Sequence, residues 1–168
     1  MTGLPASVTP LLLAIDHVGI AVPDLDASIA FHTDVLGLVV LHEETNEEQG
    51  VREAMLGIPG AAEGSALIQL LAPASPQSTI ATFLDRSGPG LQQLAYRVAD
   101  VEAVSAVLRE HGLRLLYDAP RRGTAGSRIN FIHPKDAGGV LVELVEPASS
   151  SAEVGAHGAV ETERSTRG

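Results

Sequence analysis

The segment Gly139-Val140-Leu141-Val142-Glu143-Leu144-Val145-Glu146-Pro147 has the pattern of a strand that carries one carboxylate among leucine and valine residues. Side chains of a strand alternate between two faces, so Glu143 shares a face with Leu141 and Val145. If that face is buried, ionising Glu143 costs several kcal/mol unless a cation or hydrogen-bond donors meet it. From this strand alone, a solvated sheet face that carries a glutamate is an equal alternative.

The chain contains a second copy of this strand and of its upstream partner. Leu67-Ile68-Gln69-Leu70-Leu71-Ala72-Pro73 aligns with the segment from Leu141 to Pro147, and Gln69 takes the place of Glu143. His17-Val18-Gly19-Ile20-Ala21 aligns in the same way with Gln93-Leu94-Ala95-Tyr96-Arg97. Such internal repetition indicates two half-domains. The polar residues at equivalent positions predict one shared site: His17, Gln69, Gln93 and Glu143. For His17 the alternative is a hydrogen-bonded core histidine.

Each half also contains the same helix signals, an aspartate N-cap and a glycine stop. Asp24 and Gly37 enclose a helix predicted over residues 25–36, and Asp100 and Gly112 enclose the second helix. Extended segments precede and follow each helix, as strands usually do in such units. We therefore expect each half to fold as βαβββ, which gives an α+β fold.

The order of these signals also predicts the domain boundaries. Extended segments after the helices are expected at residues 38–42 and 113–117, and a short helix at 78–85. The predicted boundaries are a flexible N-terminus over 1–11, a single domain over 12–147 with modules at about 13–73 and 91–147 and a linker at about 74–90, and a disordered tail over 148–168.

Composition excludes several classes of function. The 168 residues suit one domain with a sizeable core, and the absence of cysteine excludes disulfides and a thiolate nucleophile. The formal charge of −10 argues against nucleic acid and anionic membrane surfaces, because both favour lysine and arginine. No basic segment precedes the short run Leu11-Leu12-Leu13, so we expect a cytoplasmic protein with no membrane partner.

Four longer motifs add a resemblance to a known family. They are Ile15-Asp16-His17-Val18, the segment 46–53 (Asn-Glu-Glu-Gln-Gly-Val-Arg-Glu), Leu116-Tyr117-Asp118-Ala119-Pro120, and the segment 126–135 (Gly-Ser-Arg-Ile-Asn-Phe-Ile-His-Pro-Lys). Over about residues 13–147 the chain resembles the vicinal oxygen chelate, or glyoxalase-like, superfamily, and within it the methylmalonyl-CoA epimerases. Members of that superfamily curl paired βαβββ modules around a divalent metal.

The resemblance implies a role for each candidate residue. It makes His17, Gln69 and Glu143 metal ligands, whereas Gln93 stands where the family usually has histidine, so either Gln93 or a water completes the set. It makes Glu53 a catalytic base and Glu143 the other base or acid. Without the resemblance, Glu53 would be interpreted as a surface residue of an acidic segment.

The implied reaction interconverts (R)- and (S)-methylmalonyl-CoA. One carboxylate removes the α-proton, a metal-stabilised enolate forms, and a proton returns to the opposite face. Arg121, Arg122, Arg128 and Lys135 concentrate positive charge that suits the phosphates of CoA, with solubilising charge as the alternative. The predicted substrate-binding residues from this region are Arg122, Ser127, Arg128, Asn130, His133 and Lys135.

The resemblance also implies a cofactor and partners. We expect cobalt as the metal, with manganese, iron, nickel, zinc or magnesium as alternatives, methylmalonyl-CoA or a related acyl-CoA as substrate, a homodimer, and a place in propionate metabolism. The alternative functions are an epimerase that prefers ethylmalonyl-CoA, a glyoxalase-type lyase or a dioxygenase, and a metal-free small-molecule-binding protein of the same fold.

Overall fold

The computed structural model describes residues 9–149, so the predictions for the N-terminal residues 1–8 and for the tail from residue 150 lie outside the described residues. The strands are β1 (Leu12–Ala21), β2 (Val39–Asn46), β3 (Val51–Gly57), β4 (Leu67–Pro73), β5 (Gly90–Val98), β6 (Arg121–Arg122), β7 (Arg128–Ile132) and β8 (Leu141–Glu146). The α-helices are α1 (Leu25–Ala30), α2 (Thr79–Ser87) and α3 (Val101–Glu110).

All eight strands form one mixed sheet in the order β2-β3-β4-β1-β5-β8-β7-β6. The first strand of each half pairs parallel with the last strand of that half, β1 with β4 and β5 with β8. The two first strands, β1 and β5, pair antiparallel at the centre. The sheet is therefore two equivalent four-stranded units joined at β1 and β5, and it curls into a half-barrel, which confirms the predicted fold of paired modules.

The helix signals act as the sequence indicates. The Asp24 carboxylate accepts a hydrogen bond from the Ala27 backbone N–H at 3.0 Å, and Asp100 accepts from Glu102 and Ala103. After α1 the chain continues through a π-helical turn over Phe31–Val35. Gly37 and Gly112, with φ values of 75° and 81°, then adopt the left-handed conformation that ends such segments.

The helices cover one face of the sheet and leave the other, concave face free for the site. Leu25 of α1 packs with Leu70 of β4, and Val104 of α3 packs with Leu144 of β8. Because strand side chains alternate, the residues next to these leucines point to the opposite, concave face. Gln69 and Glu143 are those residues.

The structure differs from expectation between α3 and β6. The predicted strand over residues 113–117 is wrong, since only Leu115 bridges to Ile132 there. The side chain of Asn130 bonds both the N–H and the C=O of Tyr117, so a side chain satisfies backbone groups that a strand ladder would otherwise pair.

Among the described residues, the first regular element lies before the expected boundary at residue 12. Thr9–Leu11 form one 3₁₀ turn. The Leu11 carbonyl accepts a hydrogen bond from the Ala99 N–H at 3.0 Å, and its side chain packs against the core near α3. These contacts hold Leu11 against the domain, although the sequence pattern assigns residues 1–11 to a flexible N-terminus.

Candidate active site

The four polar residues predicted from the repeat lie together on the concave face. In the sheet register, Gly19 of β1 stands between Gln69 and Gln93, and Ala95 of β5 stands between His17 and Glu143. Small residues at the two intervening positions leave room for the four longer side chains to converge. All four are buried.

Their polar atoms meet around the side-chain nitrogen of Gln93. This Nε2 donates to Gln69 Oε1 at 2.9 Å and to Glu143 Oε2 at 2.8 Å, and it lies 3.4 Å from His17 Nε2. His17 Nε2 is in turn 3.0 Å from Glu143 Oε2. An imidazole nitrogen, a carboxylate oxygen and an amide oxygen thus surround one point.

The cluster can hold a divalent cation only with the help of its glutamine side chains. Within residues 9–149 no group of three or more His, Cys, Asp or Glu side chains is suited to hold a metal, so a metal here depends on glutamine carbonyls. Rotating the Gln93 amide by half a turn exchanges its nitrogen for its oxygen, and four donors of the types that bind hard and borderline dications then face one point. The residues fit a cation when Gln93 has that orientation.

Glu53 joins the same cluster from β3, the strand next to β4. Its side chain is 3% exposed, so the solvated-surface interpretation is wrong. Oε2 accepts a hydrogen bond from Gln69 at 2.9 Å, and Oε1 accepts one from the Thr124 hydroxyl at 2.7 Å. Burial is the main reason that the pKa of Glu53 rises to about 7, and the negative charges of Glu44 and Glu143 add to it.

Glu53 and Glu143 therefore stand at the two ends of a chain of two amides, those of Gln69 and Gln93. Three strands separate β3 from β8, which on a flat sheet would place the carboxylates about 19 Å apart. Two amide groups can join them only because the sheet curls. The curl of the sheet thus brings two carboxylates from different modules to the same cluster of polar side chains.

A cavity of about 360 Å³ opens beside this cluster and is lined by Glu53, Gln69, Gln93 and Glu143. Its volume lies within the range of roughly 300–1,000 Å³ that is usual for small-molecule sites. A second cavity of about 460 Å³ also borders Glu143 and is otherwise largely apolar. Thr124 and Glu143 line both cavities.

His17 is held between two carboxylates. Its Nδ1 lies 2.8 Å from Asp16 Oδ1, and its Nε2 faces Glu143. Burial opposes the imidazolium, but hydrogen bonds to Asp16 and Glu143 outweigh burial and raise the pKa of His17 to about 9. A metal at Nε2 would therefore have to displace a proton.

None of the six residues predicted to bind substrate lines the first cavity. Ser127 lines the second cavity. Arg128 is exposed and pairs with Glu102 and Glu146 on the outer side of the sheet. Arg122 and Lys135 are exposed, and His133 accepts a hydrogen bond from the Lys135 N–H. Their roles toward substrate stay predictions.

For Asn130 the expectation of substrate contact is corrected. The residue is fully buried and bonds to Ser105 of α3 and to the backbone of Tyr117. Its neighbours Ile129 and Phe131 line the first cavity, so alternation places Asn130 on the helix side of the sheet. It supports the cavity wall and does not touch the cavity.

Sequence reasoning missed three residues around the site. Thr124 comes from a short 3₁₀ turn, Thr124–Gly126, that carries no periodic signal. Arg121 belongs to the predicted basic cluster but was left out of the predicted substrate-binding residues, and it lines the first cavity with its guanidinium 4.1 Å from the ring centre of Tyr117. Regular alternation along β1 would place Asp16 on the opposite face from His17, so nothing in the sequence pattern marks it as part of the site.

The comparisons with known proteins agree with this geometry. Residues 16–131 match the model of the Glyoxalase/Bleomycin resistance protein/Dioxygenase superfamily, and the chain belongs to that family. The class is that of the vicinal oxygen chelate proteins, which generally bind a divalent metal, and the resemblance predicted from the sequence is confirmed.

Several relatives within the family are methylmalonyl-CoA epimerases. The crystal structure of methylmalonyl-CoA epimerase from Mycobacterium tuberculosis is 58% identical, with a TM-score of 0.78 over 88% of this chain and 94% of that one. A methylmalonyl-CoA epimerase in complex with methylmalonyl-CoA and NH4+ is 50% identical, with a TM-score of 0.78 over 82% and 96% of the two chains. The ethylmalonyl-CoA/methylmalonyl-CoA epimerase of Cereibacter sphaeroides is 36% identical over 132 residues, which cover 77% of this chain and 95% of the relative.

Among the helices within residues 9–149, none is both long enough and apolar enough to cross a bilayer.

Proposed function

We propose that the protein is an isomerase that interconverts (R)- and (S)-methylmalonyl-CoA. One observation carries the proposal: Glu53 and Glu143, two buried carboxylates from different modules, line one cavity and are joined through two glutamine amides. Epimerisation needs one group to remove the α-proton from one face and another to return a proton to the opposite face. The identity to methylmalonyl-CoA epimerases supports the same assignment.

The protonation of Glu53 suits it to this task. With a pKa of about 7, its carboxyl group is divided between the acid and base forms near neutral pH. General acid-base catalysis is most efficient when the pKa lies near the working pH. Glu53 would remove the α-proton in one direction and donate it in the other, while Glu143 takes the complementary step on the opposite face.

We propose that His17, Gln69 and Glu143 hold a divalent metal, with Gln93 as the fourth ligand through its carbonyl oxygen. When bound, the metal supplies positive charge beside the oxygens of the enolate that forms between the two proton transfers. The set of one imidazole nitrogen and three oxygens supports cobalt as the first candidate and manganese as the next. Gln69 also donates its amide N–H to Glu53, which orients that carboxylate toward the cavity.

Groups at the wall of the first cavity support an acyl-CoA as substrate. Arg121 lines that wall, where its charge suits a phosphate. Gln92 lies on the same wall, and its Oε1 is a buried acceptor without a hydrogen-bond partner among the described residues. The amide N–H groups of a pantetheine arm would satisfy such an acceptor.

The decisive experiment is deuterium wash-in at the α-carbon. Each stereoisomer of methylmalonyl-CoA is incubated with the protein in D₂O, with proton NMR to follow loss of the α-hydrogen and circular dichroism to follow inversion. We expect exchange and inversion from both isomers. Inversion that leaves no deuterium at the α-carbon of the product would contradict the proposed chemistry. The absence of any reaction after metal is supplied would contradict it as well.

A preference for ethylmalonyl-CoA is the second candidate. The second cavity borders Glu143 and is lined by apolar side chains that suit a longer α-substituent: Leu41, Met55, Leu67 and Val145. The ratio of kcat/KM for the two acyl-CoA substrates decides between the candidates. A lyase would instead act on hemithioacetals, and a metal-free binding protein would bind acyl-CoA without turnover.

We also propose a homodimer in the cytoplasm. Exposed apolar side chains on β1 and β2 support association, notably Leu13, Ile15 and Leu41. Sedimentation equilibrium tests the oligomeric state directly.

A further inference from the structure

β1 contains an irregularity next to the site. Along its pairing with β5, Ile15 stands opposite Tyr96 and His17 opposite Ala95, so Asp16 has no partner of its own and forms a bulge. Neighbouring residues of a regular strand point to opposite faces. Here Asp16 and His17 both line the second cavity, because the extra residue turns the strand locally.

The bulge places the Asp16 carboxylate behind the imidazole. Oδ1 lies 2.8 Å from His17 Nδ1, and Oδ2 accepts a hydrogen bond from Arg97 Nε at 2.8 Å. Asp16 is 9% exposed, and the contacts with His17 and Arg97 hold its pKa below the usual value despite burial. Both oxygens of the carboxylate are thus engaged, one by each neighbour.

We propose that Asp16 and Arg97 are positioning residues that fix the tautomer and orientation of His17, so that Nδ1 carries the proton and Nε2 faces the cluster of Gln69, Gln93 and Glu143. This inference rests on the proposed role of His17 as a metal ligand. A carboxylate behind a ligating histidine both orients the ring and raises its basicity, and removing such a partner usually lowers metal affinity by 10- to 100-fold.

Arg97 has a specific part in this arrangement, because it decides which way the group at position 16 points. In the native protein either carboxylate oxygen can accept, so Arg97 and His17 do not compete. In Asp16→Asn only one oxygen remains, and the Arg97 N–H cannot face an amide NH₂. The asparagine would give its oxygen to Arg97 and its NH₂ to His17 Nδ1, which stabilises the tautomer with the proton on Nε2.

This competition predicts that the effect of Arg97→Met on metal affinity depends on whether residue 16 is aspartate or asparagine. Arg97→Met alone removes one hydrogen bond from Asp16 and should weaken metal binding slightly. In the Asp16→Asn background the same change frees the asparagine to turn its oxygen toward His17. Arg97→Met should therefore improve metal affinity in that background, which reverses the sign of its effect.

The experiment combines two readouts that do not depend on turnover. Nitrogen NMR of the histidine ring in metal-free protein, above the pKa of His17, reports the tautomer. Calorimetric titration with Co²⁺ and with Mn²⁺ reports the metal affinity of the native protein, of Asp16→Asn, of Arg97→Met and of the double variant. Asp136→Asn is the matched control, because Asp136 forms an aspartate–arginine pair with Arg114 that lines neither cavity.

We expect the native protein to carry the proton on Nδ1, Asp16→Asn to carry it on Nε2 with 10- to 100-fold weaker binding, and Asp16→Asn/Arg97→Met to recover part of the loss. An Nε2–H tautomer in the native protein would overturn the proposal, and this measurement requires no variant to fold. Additive losses in the double variant would also overturn it. If the tautomers behave as expected while deuterium wash-in fails, the proposed function is wrong and the positioning of His17 stands.

Discussion

The side chain of Gln93 occupies the space left by the missing Cβ of Gly19. A Cβ built on Gly19 would lie 2.5 Å from Gln93 Cγ, well inside van der Waals contact, and 3.2 Å from Leu71 Cδ1. Gly19 stands directly opposite Gln93 in the pairing of β1 with β5. The glycine therefore determines where the central amide of the site can lie.

Gly19→Ala should displace Gln93 and loosen the cluster. Overpacking at such a position usually costs about 1–3 kcal/mol of unfolding free energy, and metal affinity should fall because the Gln93 oxygen can no longer reach the shared point. Denaturant melts and metal titration measure the two effects. Gly57→Ala is the control, since its Cβ would lie 2.9 Å from the end of the exposed Leu41 side chain and 3.5 Å from Leu67 Cδ2, and would meet none of the four polar residues of the cluster. Unchanged metal affinity in Gly19→Ala would show that Gln93 is not a ligand.

Glu53→Gln should abolish one proton transfer while it keeps the shape of the site. Loss of a positioned acid or base lowers the rate by about 100-fold or more, and metal affinity should survive because Glu53 is not a proposed ligand. One stereoisomer should still exchange its α-proton for deuterium without inversion, since Glu143 remains. Glu110→Gln on the exposed end of α3 is the control. Epimerisation at the native rate would mean that the base lies elsewhere.

Glu143→Gln should give a different profile, because this carboxylate is proposed both as a ligand and as an acid or base. The variant also removes the negative charge next to His17 Nε2 and Gln93 Nε2. We expect metal affinity and turnover to fall together, and excess metal should not restore the native rate. Full recovery at high metal concentration would leave Glu143 with a ligand role only.

Metal removal tests the cofactor directly. Chelator-treated protein should lose activity and regain it with cobalt or manganese, since its donors are one imidazole and several oxygens. Gln93→His replaces an amide by a stronger donor and should tighten cobalt binding. Activity that persists in protein shown by elemental analysis to be metal-free would contradict this mechanism.

The stability of the metal-free protein should decrease as pH rises. The pKa of Glu53 is raised by burial from 4.5 to about 7, so the folded state binds more protons than the unfolded state between these values, and stability falls through this range. The pKa of His17 is raised from 6.5 to about 9, so its stabilisation is complete below 6.5 and is lost as pH rises toward 9. Denaturant melts across pH 4.5 to 9 measure the decrease in stability. Glu53→Gln should remove only the part of this decrease that falls between pH 4.5 and about 7. Stability that rises with pH in this range would be inconsistent with both shifts.

Much of the site could be predicted from the sequence because its signals are local and repeated. Alternation in β4 and β8 assigned Gln69 and Glu143 to one face, and the repeat placed them in equivalent strands. Asp24 and Asp100 predicted both helix starts. Alternation and helix caps depend on residues within a few positions of one another, and the repeat is found by comparing two such segments, so all three signals are visible without tertiary contacts.

Other features depend on contacts between distant segments, and only the tertiary structure decided them. The bulge at Asp16 arises from the register of β1 against β5, about 80 residues away, and it overrides the alternation that assigned Asp16 to the opposite face. Thr124 comes from the other module and donates a hydrogen bond to Glu53, which partly offsets the rise that burial causes in the pKa of that carboxyl group. The sequence by itself determined which residue types could meet on the concave face. The curl of the sheet and the pairing register decided which of them do meet, because desolvation and hydrogen bonding depend on spatial neighbours that are far apart in the sequence.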